Sequence, residues 1–282
     1  MKLSTTTLLG LAAAALTNAH SLRPRQITSR CGAPAPSREL MAEAANEPTA
    51  ESTRGRRGFT VDMYVHVVTT NESAPLYTQA QVNRQVDVMN DAYAPAGISF
   101  RNLATTFTIN EAWATGGLSG SETEREMKTA LRRGTYQTLN LYFLSDLGGG
   151  LLGYCYFPEK TLNSTLVTRD GCINLAGSMP GGDADNYDLG LTAVHEVGHW
   201  FGVFHVFQNT SCEGRGDYVF DTPPQKTITY GCPVGQDSCP DSPGNDSVTN
   251  YMDYSFDACM NKFTFGQHLK MYKNFFLYRF GR

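Results

Sequence analysis

His195-Glu196-Val197-Gly198-His199-Trp200-Phe201-Gly202-Val203-Phe204-His205 places three of the chain's six histidines within eleven residues. His195 and His199 stand at i and i+4, so a helix puts both imidazoles on one face, a turn apart. Glu196 follows the first of them, where a carboxylate reaches a metal-held water without becoming a ligand. Gly202 can take the left-handed conformation that ends a helix, and that turn brings His205 back as a third nitrogen. Three protein nitrogens leave the fourth tetrahedral position of a zinc ion open, which marks a catalytic site and not a structural one. Chance occurrence of the three His with Glu196 and Gly202 is on the order of one in 10⁵ chains of this length.

The string resembles the extended zinc signature of the metzincin metallopeptidases. Some fifty residues downstream, Asn250-Tyr251-Met252-Asp253-Tyr254 resembles their Met-turn. The resemblance implies Met252 as an apolar floor beneath the three imidazoles. It also implies Tyr254 as a phenol projected toward the metal, able to donate to the oxyanion of a tetrahedral intermediate.

The 282 residues open with a secretory pattern: Lys2, an apolar run from Leu8 to Leu16, then Thr17-Asn18-Ala19 as a small-residue cleavage site. That run is too short to span a bilayer. The expected product is secreted, with a signal peptide over 1–19, no membrane span, and sequons for glycosylation at Asn71, Asn163, Asn209 and Asn245. The formal net charge of −4 is uneven. Lys2 contributes +1, and residues 20–57 carry seven Arg against four Glu, or +3, which leaves −8 for residues 58–282. So acidic a domain argues against a nucleic-acid partner; peptide and protein substrates are the expected partners of a monomer.

Seven cysteines in a secreted chain leave one over. Cys212, Cys232, Cys239 and Cys259 flank the segment between the zinc string and Met252, and by themselves allow three pairings. Cys155 and Cys172 are expected to pair across neighbouring strands. Cys31 remains, in Arg30-Cys31-Gly32, within a Pro/Ala/Arg/Glu-rich stretch that carries no evident core. A thiolate is a strong zinc ligand, and the arrangement resembles the cysteine switch of metzincin zymogens, in which a free Cys of a pro-segment fills the fourth metal position. Residues 20–57 read as that pro-segment. It ends at Arg54-Gly-Arg56-Arg57, a basic run suited to processing, and leaves a catalytic domain over 58–282.

Within that domain Phe59 to Val68 alternates as a buried strand and includes His66, which has no ligand partner nearby and reads as structural. Thr78 to Tyr93 has helical spacing with Thr78 as N-cap, Ile98 to Phe107 is a second strand, and Ser121 to Arg133 is a helix opening on a capping-box pattern. Leu139 to Leu144 is a third strand. Gly148 to Pro158 reads as an edge strand, the element along which metzincins add a peptide substrate. Leu189 to Phe201 is the zinc helix, with Asp183, Asp185 and Asp188 placed to favour its N-terminus. A loop-rich half follows, and a C-terminal helix spans Phe265 to Tyr278. The expected class is α/β (α+β): one metzincin-like domain with a mixed twisted sheet and zinc helix above, and an irregular, disulfide-stapled half with the Met-turn below.

Gly216-Asp217-Tyr218-Val219-Phe220-Asp221-Thr222-Pro223-Pro224, the four-cysteine spacing, the Met-turn and Arg-Cys-Gly together resemble the pappalysin family, most closely its short secreted fungal members. The resemblance implies a zinc endopeptidase with His195, His199 and His205 as ligands and Glu196 as general base. It selects the interleaved pairs Cys212–Cys239 and Cys232–Cys259, and it implies calcium in the lower half, for which Asp217 and Asp221 are carboxylate donors. Some pappalysins select a basic residue after the scissile bond with an acid just before the cysteine that follows the Met-turn. Here Ala258 holds that position and Asp257 the one before it, so the preference stays open. The alternative class is a secreted zinc-holding interaction protein without turnover, against which the intact Glu196 counts.

Overall fold

The computed structural model describes residues 27–46, 57–116 and 118–282. The expected signal peptide over 1–19 and Arg54 to Arg56 of the basic run lie outside the described residues. Six strands form one mixed sheet: β1 (Ser29–Cys31), β2 (Phe59–Thr69), β3 (Ile98–Ile109), β4 (Leu139–Leu144), β5 (Leu151–Cys155) and β6 (Cys172–Leu175), in the spatial order β1-β5-β6-β4-β2-β3. Only the β5–β6 pairing is antiparallel.

Strand alternation sends side chains to two cores. Val61, Met63, Val65 and Val67 of β2 and Leu139, Leu141 and Phe143 of β4 face a large cluster under α2 (Gln79–Tyr93) and α6 (Leu191–Trp200). Val68, Tyr142 and Leu144 face the opposite side, packed on α3 (Glu111–Thr115) and α4 (Glu122–Leu131). All six residues of β4 are buried because it lies inside the sheet and is covered on both faces. The short α5 (Ser164–Arg169) precedes β6, and the chain closes with α7 (Phe265–Asn274).

Local signals set several boundaries. Thr78 accepts from the Gln81 N–H while the Gln81 side chain accepts from the Thr78 N–H, a complete capping box on α2. At Ser121 only half the box forms. The serine accepts from the Glu124 N–H, but the Glu124 carboxylate turns to the Gly120 N–H at 2.7 Å and the buried Lys128 ammonium at 2.8 Å. The C-terminal helix is shorter than its periodicity suggested: after Asn274 the chain widens into a π-turn over Phe275–Arg279. That turn seats the Arg279 guanidinium on the Asp170 carboxylate with two bonds of 3.1 Å, and its Nε donates to the Trp200 carbonyl at 2.9 Å.

Two expectations about the N-terminal half need correction. Gly148 to Pro158 contains β5, but β5 is not the sheet's outer edge. Residues 29–31 add to it in parallel register, Ser29 opposite Leu151 and Cys31 opposite Gly153. The Pro/Ala-rich stretch around Cys31 is also no coreless linker. It forms β1 and then α1 (Arg38–Ala44), and it buries Arg30, Cys31, Leu40 and Ala44 against the rest of the chain.

Candidate active site

Helix α6 is entirely buried, and its first turn shows a mechanism the sequence did not suggest. Asp183, Asp185 and Asp188 do not lie in it; Gly190 is the N-cap and supplies no side chain. The Asp257 carboxylate, from beyond the Met-turn, accepts from the Leu189 N–H at 3.0 Å and the Leu191 N–H at 3.4 Å. One orphan donor of the helix end, the Leu191 N–H, is thereby satisfied from the lower half of the molecule.

At the other end Gly202 takes φ +79° and ends the helix. The Asn274 amide donates to the Phe201 carbonyl at 2.9 Å, and the turn brings His205 under the helix. The three Nε2 atoms converge: His205 lies 3.2 Å from His195 and 3.0 Å from His199. Tetrahedral zinc with Zn–N bonds of about 2.0–2.1 Å requires ligand nitrogens about 3.3 Å apart, so the donors fit that ion. The remaining ring nitrogens fix the tautomers. His195 Nδ1 donates to the Tyr251 carbonyl at 2.7 Å and His199 Nδ1 to the Val203 carbonyl at 2.8 Å, which leaves Nε2 free to ligate. Burial holds all three imidazoles below their usual titration range, His199 at about 4, so they are neutral donors.

Cys31 is the fourth member. Its Sγ joins the three histidine donors in one group whose ligand atoms all lie within 4.8 Å, the one such His/Cys/Asp/Glu group of three or more among the described residues. The thiol donates to Glu196 Oε2 at 3.3 Å, while Glu196 Oε1 is buried with no partner. Burial pushes Glu196 up to about 8 and the Cys31 thiol well above its ordinary value, the latter raised further by the Glu196 charge.

Met252 is fully buried directly beneath the helix. A Cβ on Gly198 would meet its Sδ at 2.4 Å, so the floor fits only because residue 198 has no side chain. The turn is held by Asn250, whose Oδ1 accepts from the Met252 N–H at 2.9 Å and whose amide pairs reciprocally with Gln267. Tyr254 lies beside the imidazoles, its ring 5.1 Å from that of His205, and its hydroxyl donates to the Cys31 carbonyl at 2.9 Å.

Arg30 enters a buried pocket beside the cleft. Its guanidinium pairs with Asp257 at 2.6 Å, donates to the Ser255 carbonyl at 2.8 Å and lies 5.2 Å over the Tyr187 ring. Sequence reasoning passed over Arg30 because nothing in residues 28–32 marks a partner more than two hundred positions away. Three disulfides are present. Cys155–Cys172 ties β5 to β6, and Cys212–Cys239 and Cys232–Cys259 interleave across the loop before the Met-turn. His66 sits away from the site, bound through both nitrogens to Thr106 and Asn140 and stacked on Tyr142.

Residues 128–275, just over half of the chain, match the pappalysin family model, described as pregnancy-associated plasma protein-A. An extracellular metalloprotease of Pyricularia oryzae is 50% identical over 263 residues, which cover 90% of each protein. Extracellular metalloprotease 1 of Coccidioides posadasii is 50% identical over 79% of each. Among solved structures, mature mirolysin of Tannerella forsythia with a cleaved peptide is 30% identical with a TM-score of 0.63, over 77% of this chain and 91% of its own. A promirolysin variant is 27% identical with a TM-score of 0.67, over 83% of this chain and 86% of its own. A family model over half the chain, relatives identical at every second position and a metzincin-type site in place together decide the matter: the chain belongs to the pappalysin family of metallopeptidases, hydrolases that use a catalytic metal, typically zinc, to cut peptide bonds.

Proposed function

We propose that the chain is a secreted zinc endopeptidase in its latent form, with residues 20–57 as the pro-segment and 58–282 as a monomeric catalytic domain. The observation that carries this reading is the placement of Cys31. It completes the three-histidine donor set, hydrogen-bonds Glu196, and sits in a strand that adds to β5. A thiolate there excludes the attacking water, and β1 denies a substrate strand its place on β5.

His195, His199 and His205 would hold the ion. When bound, zinc supplies Lewis acidity at the scissile carbonyl and acidifies the water. Glu196 takes the proton from the attacking water and returns it to the leaving amine. Tyr254 donates to the carbonyl oxygen as negative charge develops, in the geometry it now adopts toward the Cys31 carbonyl. Asp257, which holds Arg30, selects a basic residue after the scissile bond. Its carboxylate already holds one guanidinium, that of Arg30, and is anchored on the start of α6.

Glu196→Ala should abolish peptide cleavage with zinc still bound at one per chain; cleavage by that variant would sink the assignment. Cys31→Ser should raise the activity of uncut chain, and no gain would refute the thiol block. In peptide-library profiling, Asp257→Asn should lose the Arg/Lys preference at the residue after the cut. A calcium ion is a further part of this reading. Asp217 Oδ2 and Asp221 Oδ1 are buried without hydrogen-bond partners, oxygens of the kind a hard cation takes. Adding calcium to chelator-treated protein should raise its melting temperature, and no shift would remove calcium from the account. All four sequon asparagines are exposed, which suits glycosylation; intact mass before and after deglycosylation reads it, and size-exclusion chromatography reads the monomer.

A further inference from the structure

Helix α1 does no work at the zinc site, yet it is the most elaborately held part of the N-terminal segment. Leu40 and Ala44, with Met41 beside them, pack into a groove formed by Phe157, Phe204 and Tyr278. Glu43 pairs with Lys273 at 2.6 Å, and Glu39 with Lys160 at 3.4 Å. Carbonyls at and just beyond the C-terminus of the helix are met by cations of the catalytic domain. Lys273 donates to Glu43 O at 3.3 Å and Asn46 O at 2.6 Å, and Arg215 donates to Ala45 O. Such cations also favour the negative end of the helix dipole.

Each of these contacts joins a residue N-terminal to the basic run at 54–57 to the chain beyond it without a covalent bond, as do the β1–β5 pairing, the Arg30–Asp257 bridge and the approach of the Cys31 thiol to the histidines. Hydrolysis after Arg57 therefore breaks none of them. We propose that the groove of Phe157, Phe204 and Tyr278, rimmed by Lys160, Lys273 and Arg215, is a standing binding site for an acidic amphipathic helix. Its first occupant is α1 of the excised pro-segment, which stays bound after the cut as a non-covalent inhibitor independent of the thiol. Activation then takes two events, the cut and the emptying of the groove. The inference rests on reading residues 20–57 as a removable pro-segment.

The experiment uses full-length chain carrying Cys31→Ser, which removes the metal-directed thiol, nicked after Arg57 by an added dibasic-specific endoprotease. The two pieces should co-elute on size-exclusion chromatography, and the complex should cleave a fluorogenic peptide at least tenfold more slowly than protein from which the pro-segment has been stripped. Lys273→Glu should weaken retention of the fragment about tenfold, and Glu43→Lys in the same chain should restore it. Separation of the pieces on nicking, or retention indifferent to both charge reversals, would overturn the proposal. If uncut Cys31→Ser chain were already as active as stripped protein, inhibition through the groove would fail while the thiol block stood. If stripping the segment from chain with Cys31 intact gave no activity, the pro-segment reading itself would fail.

Discussion

Replacing Gly198 by alanine sets two effects of opposite sign against each other next to His199 of the converging histidine group. Helix propensity alone favours alanine over glycine in a helix interior by about 1 kcal/mol. The structure opposes it, because the new Cβ would lie 2.4 Å from Met252 Sδ and 3.2 Å from its Cε. Ordinary carbon–sulfur contact needs more than an ångström beyond that, and overpacking of a closed core costs about 1–3 kcal/mol. Methionine yields more readily than most side chains, but Met252 is fully buried and its backbone is fixed by Asn250. The clash should win, giving a net loss of up to about 2 kcal/mol in urea unfolding of the zinc-loaded protein and weaker zinc retention against a chelator. Met252→Ala opens a cavity and by itself should cost about 2–5 kcal/mol. Combined with Gly198→Ala it should cost less than the sum, since the added methyl then fills part of the void. Additivity within about 0.5 kcal/mol, or stabilisation by Gly198→Ala, would refute the close approach.

Three further outcomes follow from the same geometry. Tyr254→Phe should lower kcat about 10²-fold or more with little change in KM, the signature of a donor used mainly in the transition state; an unchanged kcat would leave Tyr254 a packing residue. Arg279→Met removes both guanidinium bonds from the buried Asp170 carboxylate and leaves it the Trp200 Nε1 donor at 3.1 Å and the Arg132 pair at 3.7 Å. It should therefore cost less than a fully stranded charge, about 3–5 kcal/mol, measured as a fall in the urea midpoint; no loss would mean that those two groups suffice. Burial holds His66 at about 4, whereas unfolded it titrates near 6.5, so between those values the unfolded chain binds more protons. Stability present above pH 6.5 is therefore lost as the pH falls toward 4, by about 3 kcal/mol for the 2.5-unit difference. The wild-type advantage over His66→Gln should shrink by that amount across this window, and a pH-independent difference would exclude His66 as the titrating group.

What could be read directly was whatever local spacing encodes. The i, i+4 histidines, Glu196 and the helix-ending Gly202 determine a metal site through helical periodicity alone, and alternation in β2 and β4 determines two buried faces. Thr78 was legible as the N-cap of α2, and the structure adds Gln81, three residues on, as the other half of its capping box. Pairings across long separations were not legible, because side-chain type says nothing about which distant group will meet it. Asp257 capping α6, Arg30 on Asp257, and Asn140 beside His66 are such cases. Gly198 looked like any helix glycine until Met252 was brought beneath it. Cys31 was recognisable as an unpaired thiol, but its place beside Glu196 and three imidazoles depends on β1 finding the open edge of β5. The chemistry of the site was written in eleven consecutive residues; what covers it was decided by a strand and a helix that only the tertiary fold brings back across the cleft.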